Sequence, residues 1–362
     1  MKKGVVAIIL AVCIMLSGCD AFVNGEYIYT QPHETDAAQD DAAISAINYR
    51  QLYALLDEMI QEGTTSAVIM VPDYDQSKIA EDAEAVSDDL LKNNPVAAYA
   101  VSDISAVLGT AGGEPALSVT VSYTHGRAEI RQIKEVSDVV EATNLIRSAL
   151  NACNVGVVLK INQYQAVDFT QIVEDYATAF PEYVIEQPRV TVNVYPDHGE
   201  VRVVELNFAY RTNRESLKEM QNRVRNMFTS ARLYVSVDTT ALDKFSHLYT
   251  FIMERFEFDI ATSITPAYSL LLHGVGDQKA FAIVYAAMCA REGLECYTVS
   301  GTRNGAAHYW NIVSVDGKYY HVDLLRSSDG KTFRMYTHDQ MGGYVWDYDA
   351  YPACVGQVKT AS

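Results

Sequence analysis

The feature that most constrains the fold of this chain is a pair of alternating segments joined by two turn residues. Residues 308–315 and 318–324 each alternate apolar and polar side chains with the two-residue period of a β-strand. Asp316-Gly317 between them is typical of the tightest hairpin turns, which need positive φ angles. The sequence therefore predicts an antiparallel hairpin over residues 308–324.

A helix and a strand are predicted just before this hairpin. Gly274-Val-Gly-Asp-Gln278 opens an apolar helical stretch that runs to about Arg291, and Gly293 is a suitable stop. A strand is expected at residues 295–301. Farther upstream, residues 243–256 carry apolar side chains at helical spacing.

These segments resemble the transglutaminase-like superfamily, a branch of the papain-like cysteine enzymes. The resemblance rests on three blocks in order: the glycine-led helix start with Phe281-Ala282, then His308-Tyr-Trp-Asn311, then Lys318-Tyr-Tyr-His-Val-Asp323. The family's middle block is usually His-Ala-Trp-Asn, so one residue differs. The resemblance covers about residues 235–362 and implies a papain-like fold there.

The resemblance also implies a chemistry. In the family, a cysteine thiolate at a helix N-terminus attacks an acyl carbon, a histidine relays the proton and an aspartate orients the imidazole. His308 and Asp323 stand at the histidine and aspartate positions. Trp310, Asn311 and His321 are expected near the cleft, although Trp310 is also a natural core residue. His321 lies two residues before Asp323 and therefore shares its strand face.

The nucleophile position departs from the family pattern. Counting back three residues from Phe281, or 15 from Gly293, leads to Gln278. A carboxamide is neutral and a poor nucleophile, so it cannot form the thioacyl intermediate. Cys289 lies 11 residues farther along the helix, about 16 Å away at 1.5 Å per residue. Cys296 falls in the next strand, without a helix N-terminus to activate it.

Three functional interpretations follow. The first is a degenerate, non-catalytic domain whose groove binds peptide, protein or cell-wall material. The second is an active hydrolase or acyltransferase that uses His308 and Asp323 as a dyad. The third is a structural surface scaffold in which this pair only holds the hairpin together. No cofactor is expected, and no metal is expected because cysteine and histidine lack zinc-site spacing.

The first residues have the pattern of a bacterial secretion signal. Lys2 and Lys3 precede an apolar run at residues 4–16 that is too short for an ordinary membrane span. The run ends in Leu16-Ser-Gly-Cys19, which resembles the lipobox of bacterial lipoproteins. The resemblance implies that residues 1–18 are removed and that Cys19 carries a diacylglyceryl group. The protein would then be extracytoplasmic and lipid-anchored to the bacterial cell membrane.

The charge narrows the range of partners. The net charge is −18, and it becomes −20 without Lys2 and Lys3, because 26 basic residues then face 46 acidic ones. Such a surface repels phosphate backbones, so nucleic acid is not an expected partner. The expected partners are the membrane, through the anchor, and a peptide, protein or cell-wall ligand.

The middle of the chain shows a recurring order of elements. Two passages follow each other at an offset near 87 residues, and Tyr123-Thr-His-Gly-Arg127 falls on Tyr210-Arg-Thr-Asn-Arg214. The shared Tyr and Arg could contact a ligand or simply hold a strand end. We predict an α+β protein in which two duplicated α/β units precede a papain-like domain of transglutaminase type. The predicted segments are a tether at 19–42, units at 43–139 and 140–232, and the last domain at 233–362.

The four remaining cysteines leave the disulfide pattern open. One bridge among Cys289, Cys296 and Cys354 is permitted outside the cytoplasm, and buried free thiols are the alternative. Cys153 stands apart from these three in the sequence.

Overall fold

The computed structural model describes residues 44–235, 239–260, 266–326 and 332–355. The predicted signal segment, Cys19 and the tether lie outside this part of the chain. Within it, no helix combines the length and apolarity needed to cross a membrane. The fold is a mixed α+β arrangement built on three main sheets.

The elements alternate between helices and strands along most of the described chain. The helices are α1 Tyr49–Glu62, α2 Ile79–Asn93, α3 Pro95–Ala100, α4 Arg127–Ile130, α5 Val139–Asn151, α6 Phe169–Ala179, α7 Arg214–Tyr234, α8 Ala241–Arg255, α9 Pro266–His273 and α10 Gln278–Arg291, with a 3₁₀ turn at His338–Gln340. The strands are β1 Ser66–Met70, β2 Val101–Ala111, β3 Glu114–Tyr123, β4 Lys134–Asp138, β5 Gly156–Gln163, β6 Arg189–Tyr195, β7 Arg202–Ala209, β8 Glu257–Phe258, β9 Val275–Gly276, β10 Cys296–Arg303, β11 Ala306–Val315, β12 Lys318–Val322 and β13 Tyr344–Trp346.

The first sheet has the antiparallel order β1-β3-β2. Helix α1 buries Leu52, Leu56 and Ile60, which recur at helical spacing and pack with the sheet in one apolar core. The helix begins at Asn48, whose side chain accepts a hydrogen bond from the backbone N–H of Gln51 (3.0 Å). It ends at a glycine in the left-handed region. Local capping and the apolar stripe therefore fix the helix that covers this sheet.

The second sheet has the order β4-β5-β7-β6. Its β5-β7-β6 part repeats the connectivity of β1-β3-β2, and β4 runs parallel beside β5. In the first unit, the segment just before α1 lies beside β1 much as β4 lies beside β5, because the Ala46 backbone N–H donates to the Met70 carbonyl (2.9 Å). The two sheets share a topology, and common descent of the two units stays a prediction.

One motif residue in each unit contacts a helix end, Tyr123 in the first and Arg214 in the second. The Tyr123 hydroxyl donates to the carbonyls of Met59 (3.2 Å) and Thr64 (2.9 Å) at the end of α1. Arg214 Nε donates to the Ala152 carbonyl (3.1 Å) at the end of α5. These contacts satisfy carbonyls that a helix end leaves without partners. The geometry therefore supports a structural role for Tyr123 and Arg214.

The third sheet has the antiparallel order β12-β11-β10-β13 and belongs to the C-terminal part of the chain. The predicted hairpin is present as β11–β12, with Asp316 (φ 51°) and Gly317 (φ 70°) in the turn. Helix α7 buries Leu217 and Val224 in the same core as Phe281 of α10. That core is continuous across residues 232 and 233, where the sequence suggested a boundary.

The two motif tyrosines give a matched test of the helix-end contact. We expect Tyr123→Phe to lower the free energy of unfolding by about 1 kcal/mol, because two carbonyls lose their donor. Tyr210→Phe should be neutral or stabilising, since the buried Tyr210 hydroxyl has no hydrogen-bond partner within the described residues. Urea unfolding of both variants measures the difference. An equal loss in both variants would contradict the assignment.

Candidate active site

The β11–β12 hairpin brings His308 and Asp323 together. His308 Nε2 lies 2.8 Å from Asp323 Oδ2, and both side chains are buried. A carboxylate only accepts hydrogen bonds, so Nε2 carries the proton and donates it to Asp323. Its other ring nitrogen, Nδ1, has no hydrogen-bond partner within the described residues, and it is bare in the neutral tautomer. The pair therefore has the form of a base oriented by a carboxylate.

Asp323 is held by several donors besides His308. The Tyr344 hydroxyl donates to Oδ2 (2.6 Å), the Leu325 backbone N–H donates to Oδ1 (3.0 Å), and Arg303 Nη1 lies 3.8 Å from Oδ2. Burial alone raises the pKa of Asp323. The hydrogen bonds from His308 and Tyr344 outweigh it, so the pKa of Asp323 lies below its ordinary value. The carboxylate is thus stabilised in its charged form.

The surroundings of His308 are aromatic and closely packed. Its ring stacks on Trp310 (centroids 6.1 Å apart) and meets Tyr344 edge-on (5.7 Å). His308 as a whole is 7% exposed. Burial and contact with Asp323 raise the pKa of Tyr344, so its hydroxyl stays a donor. The imidazole is held rigidly, with little of its surface open to solvent.

Gln278 is the first residue of α10. The helix is capped by Asp277, whose Oδ1 accepts from the Ala280 backbone N–H (2.8 Å). The Gln278 side chain is half-buried, and it makes no hydrogen bond within residues 44–235, 239–260, 266–326 and 332–355. The structure confirms the predicted helix start, and it does not join Gln278 to His308 by a hydrogen bond.

The other predicted cleft residues divide between the two faces of the sheet. Asn311 is fully buried and donates to the Ala282 carbonyl of α10 (2.9 Å), so it fixes the helix on the sheet. Trp310 is fully buried on the face that carries His308. Its indole Nε1 donates to His321 Nδ1 (2.9 Å). Asn311, Trp310 and His321 therefore belong to the packing around the dyad.

His321 continues into a small cluster with His338 and Cys354. One ring nitrogen from each histidine and the Cys354 sulfur lie within 4.8 Å of one another, a spacing open to a metal ion. Trp310 only donates, so His321 Nδ1 must accept, and His321 Nε2 donates to His338 Nδ1 (2.8 Å). A metal on His321 Nε2 would move the proton to Nδ1, against the indole N–H. Metal-bound histidines normally face an acceptor there, so this donor set does not fit a metal.

The cysteines do not supply a nucleophile at this site. Cys153, Cys289, Cys296 and Cys354 are all free thiols in the described residues. Burial raises the pKa of Cys354 to about 12 and the pKa of Cys289 well above the ordinary value. Such thiols are protonated and inert. In this structure the thiols of Cys289 and Cys296 lie side by side without a bond between them.

Two residues that complete the site were not assigned to it from the sequence. Tyr344 comes from β13 and Arg303 from the end of β10, and β13 pairs with β10 so that both reach Asp323. The aromatic, glycine-rich stretch after Met341 was the available signal for Tyr344. No local pattern marks Arg303.

Removing the charge of Asp323 should destabilise the fold in a pH-dependent way. We expect Asp323→Asn to lower the free energy of unfolding at pH 7 by about 1–3 kcal/mol, since His308 and Tyr344 lose an ionised acceptor. Because the folded pKa lies below the unfolded one, this stabilisation is present above about pH 4 and is lost as the pH falls through the folded pKa.

Urea unfolding at pH 7 and pH 3 measures this difference. Asp73→Asn, at an exposed position, is the control and should change neither value. An equal loss for Asp323→Asn at both pH values would contradict the ionised pair.

The locked tautomer of His321 should make the fold sensitive to mild acid. Burial, aided by the charges of His338 and Arg326, lowers the pKa of His321 to about 3. The unfolded chain binds this proton near pH 6.5, so stability falls as the pH drops from there towards 3. Replacing His321 with Gln should make the dependence shallower by about 1 kcal/mol per pH unit. Urea unfolding between pH 6 and 4 tests this, with exposed His273→Gln as the control. Equal slopes in wild type and His321→Gln would refute the assignment.

Three comparisons with known proteins bear on the C-terminal part. No curated protein matches the chain. Solved structures that resemble it include a TGase (9% identity, TM-score 0.27, 61% of this chain and 64% of that one). Two others are a candidate cysteine protease from Cytophaga hutchinsonii (11%, 0.26, 38% and 62%) and a candidate protease from Parabacteroides distasonis (10%, 0.23, 71% and 39%). The chain spans less than two thirds of each, and such low TM-scores carry no argument.

The match to a protein family is more specific. Residues 229–324 match the model of the transglutaminase-like superfamily. Gln278, His308 and Asp323 all lie inside this segment, and the resemblance predicted from the three sequence blocks is confirmed for it. Residues 229–324 of this chain are therefore a transglutaminase-like domain.

Proposed function

We propose that this protein is a surface-anchored lipoprotein whose transglutaminase-like domain, of papain-like fold, binds a peptide, protein or cell-wall ligand without turning it over. One observation carries the proposal. An aspartate-oriented histidine is present, yet the first residue of the helix that should supply a thiolate is Gln278. The remnant dyad is His308 and Asp323, and Gln278 occupies the nucleophile position.

The chemistry follows from what each group can do. A carboxamide cannot attack an acyl carbon, and three of the four described thiols are buried, while the fourth, Cys296, begins β10 opposite Val313. Gln278 retains a donor and an acceptor, and His308 retains a bare Nδ1. A peptide bond offers both an N–H and a C=O. These unpaired groups therefore suit recognition of an extended peptide or an amide-bearing glycan strand.

The wider arrangement supports a role at a surface. The lipobox-like Cys19 would hold the chain to the membrane by acyl chains. The two α/β units of shared topology, which we propose arose by duplication, would space the domain from the bilayer. The strongly acidic chain, with a formal net charge of −18, suits an extracytoplasmic protein that does not bind nucleic acid.

Restoring the thiol gives the sharpest test of the pseudoenzyme. We expect the full-length natural protein to be inert towards a glutamine-bearing acyl donor and a labelled primary amine. Gln278→Cys should gain amine incorporation at least tenfold above background, because a thiol then sits at the capped N-terminus of the helix that Asn311 fixes on the strand of His308. Gln278→Cys/His308→Ala should lose it, and the control Gln61→Cys, on an exposed face of α1, should stay inert.

The other outcomes decide between the alternatives. Turnover by the natural protein that is lost in His308→Ala would show a hydrolase or acyltransferase that uses the dyad differently. Failure of Gln278→Cys to react, together with an unchanged spectrum of folded protein, would favour the scaffold interpretation. The observation that supports the scaffold interpretation is that His308 is only 7% exposed.

A further inference from the structure

A cleft of about 620 Å³ lies between the first α/β unit and the second sheet, apart from the dyad. Tyr99 and His125 of the first unit form one wall, and Glu205 of β7 and Gly156 of β5 line the sheet side. Arg131 lies at the opening. Clefts of this size, placed between structural units, are where small ligands usually bind.

The orientation of His125 is fixed by its neighbours. Its ring lies flat on Tyr99, with centroids 4.2 Å apart and planes at 9°. Nδ1 is 2.9 Å from the Tyr99 carbonyl oxygen, which only accepts. Nδ1 therefore carries a proton, and in the neutral tautomer Nε2 is bare and faces Glu205.

A carboxylate faces this bare nitrogen. Glu205 Oε1 lies 3.7 Å from His125 Nε2, which is longer than a direct hydrogen bond. The Glu205 side chain is only 14% exposed, and its other oxygen accepts from Asn193 Nδ2 (3.0 Å). In the neutral tautomer of His125, two acceptors thus lie 3.7 Å apart in a partly buried place. A donor between them, above all a positively charged one, would satisfy both.

The rim of the cleft carries mainly positive charge, opposite to that of Glu205. Arg131 and Lys134 line the cleft, and neither has a side-chain ion pair within the part of the chain that the structure describes. Glu129 is the one other charged residue on this rim. A carboxylate near Arg131 and Lys134 would gain a charge-assisted contact. The lining therefore carries an anionic floor and a mainly cationic rim.

We propose that this cleft binds a small zwitterion, a free amino acid or short peptide with an unblocked amino terminus. The ligand ammonium lies between His125 Nε2 and Glu205, and the ligand carboxylate lies at Arg131 and Lys134. The volume accommodates a dipeptide with ordered water. This site is separate from the transglutaminase-like groove, so it stands or fails independently of the proposed function.

Isothermal titration calorimetry of the full-length protein with three probes tests the proposal. The probes are Ala-Ala, its N-acetyl derivative and its C-terminal amide. We expect Ala-Ala to bind, N-acetylation to weaken binding at least tenfold, and amidation to weaken it less because the rim is exposed. Glu205→Gln should weaken Ala-Ala at least tenfold, whereas Glu219→Gln on exposed α7 should leave it unchanged.

A second variant guards against a folding defect. Arg131→Gln, at an exposed rim position, should weaken Ala-Ala binding without touching the partly buried floor, and amidation of the ligand should then cost less affinity than it does in the natural protein, because both changes remove the same contact. Equal binding of Ala-Ala and its N-acetyl derivative would overturn the proposal. So would absence of heat with all three probes at 10 mM concentration, on the order of the weakest affinities that small ligands show.

Discussion

The register of the β11–β12 hairpin is the constraint on which the candidate site depends. Asn311 pairs with Val322 and Val315 pairs with Lys318 across the two strands. A slip by one residue would turn a whole strand face over and separate the dyad. The two-residue turn prevents this slip, because Asp316 and Gly317 both hold positive φ angles. A local turn thus places two groups 15 residues apart within hydrogen-bonding distance.

Two histidines on one sheet face differ in their chemical role because their hydrogen-bond partners differ. His308 meets the carboxylate of Asp323 and is oriented as a base. His321 meets the indole N–H of Trp310 and is held neutral, as its pKa of about 3 indicates. Burial lowers the pKa of His321, and the indole N–H fixes which of its ring nitrogens accepts, whereas the carboxylate beside His308 orients that imidazole. The donors and acceptors around His321 likewise show why the cluster of His321, His338 and Cys354 suits hydrogen bonds rather than a metal ion.

Local sequence patterns predicted much of this structure. The hairpin, the start of α10 at Gln278 and the pairing of His308 with Asp323 all follow from alternation, turn chemistry and the family resemblance. Tyr344 and Arg303 reach Asp323 only through the pairing of β13 with β10, which no local pattern encodes. Strand β2 was missed because much of Val101–Ala111 is exposed and lacks a clear buried alternation.

Intact-mass spectrometry of the full-length protein, incubated with a glutamine-containing peptide and no amine, tests most directly whether the domain is non-catalytic. Transfer would add the peptide and release ammonia, leaving a thioester on the protein. We expect an unchanged mass, because burial keeps the Cys289 and Cys354 thiols protonated and no thiol begins α10. A stable mass increase of peptide minus ammonia, mapped to any cysteine, would contradict the absence of acyl chemistry.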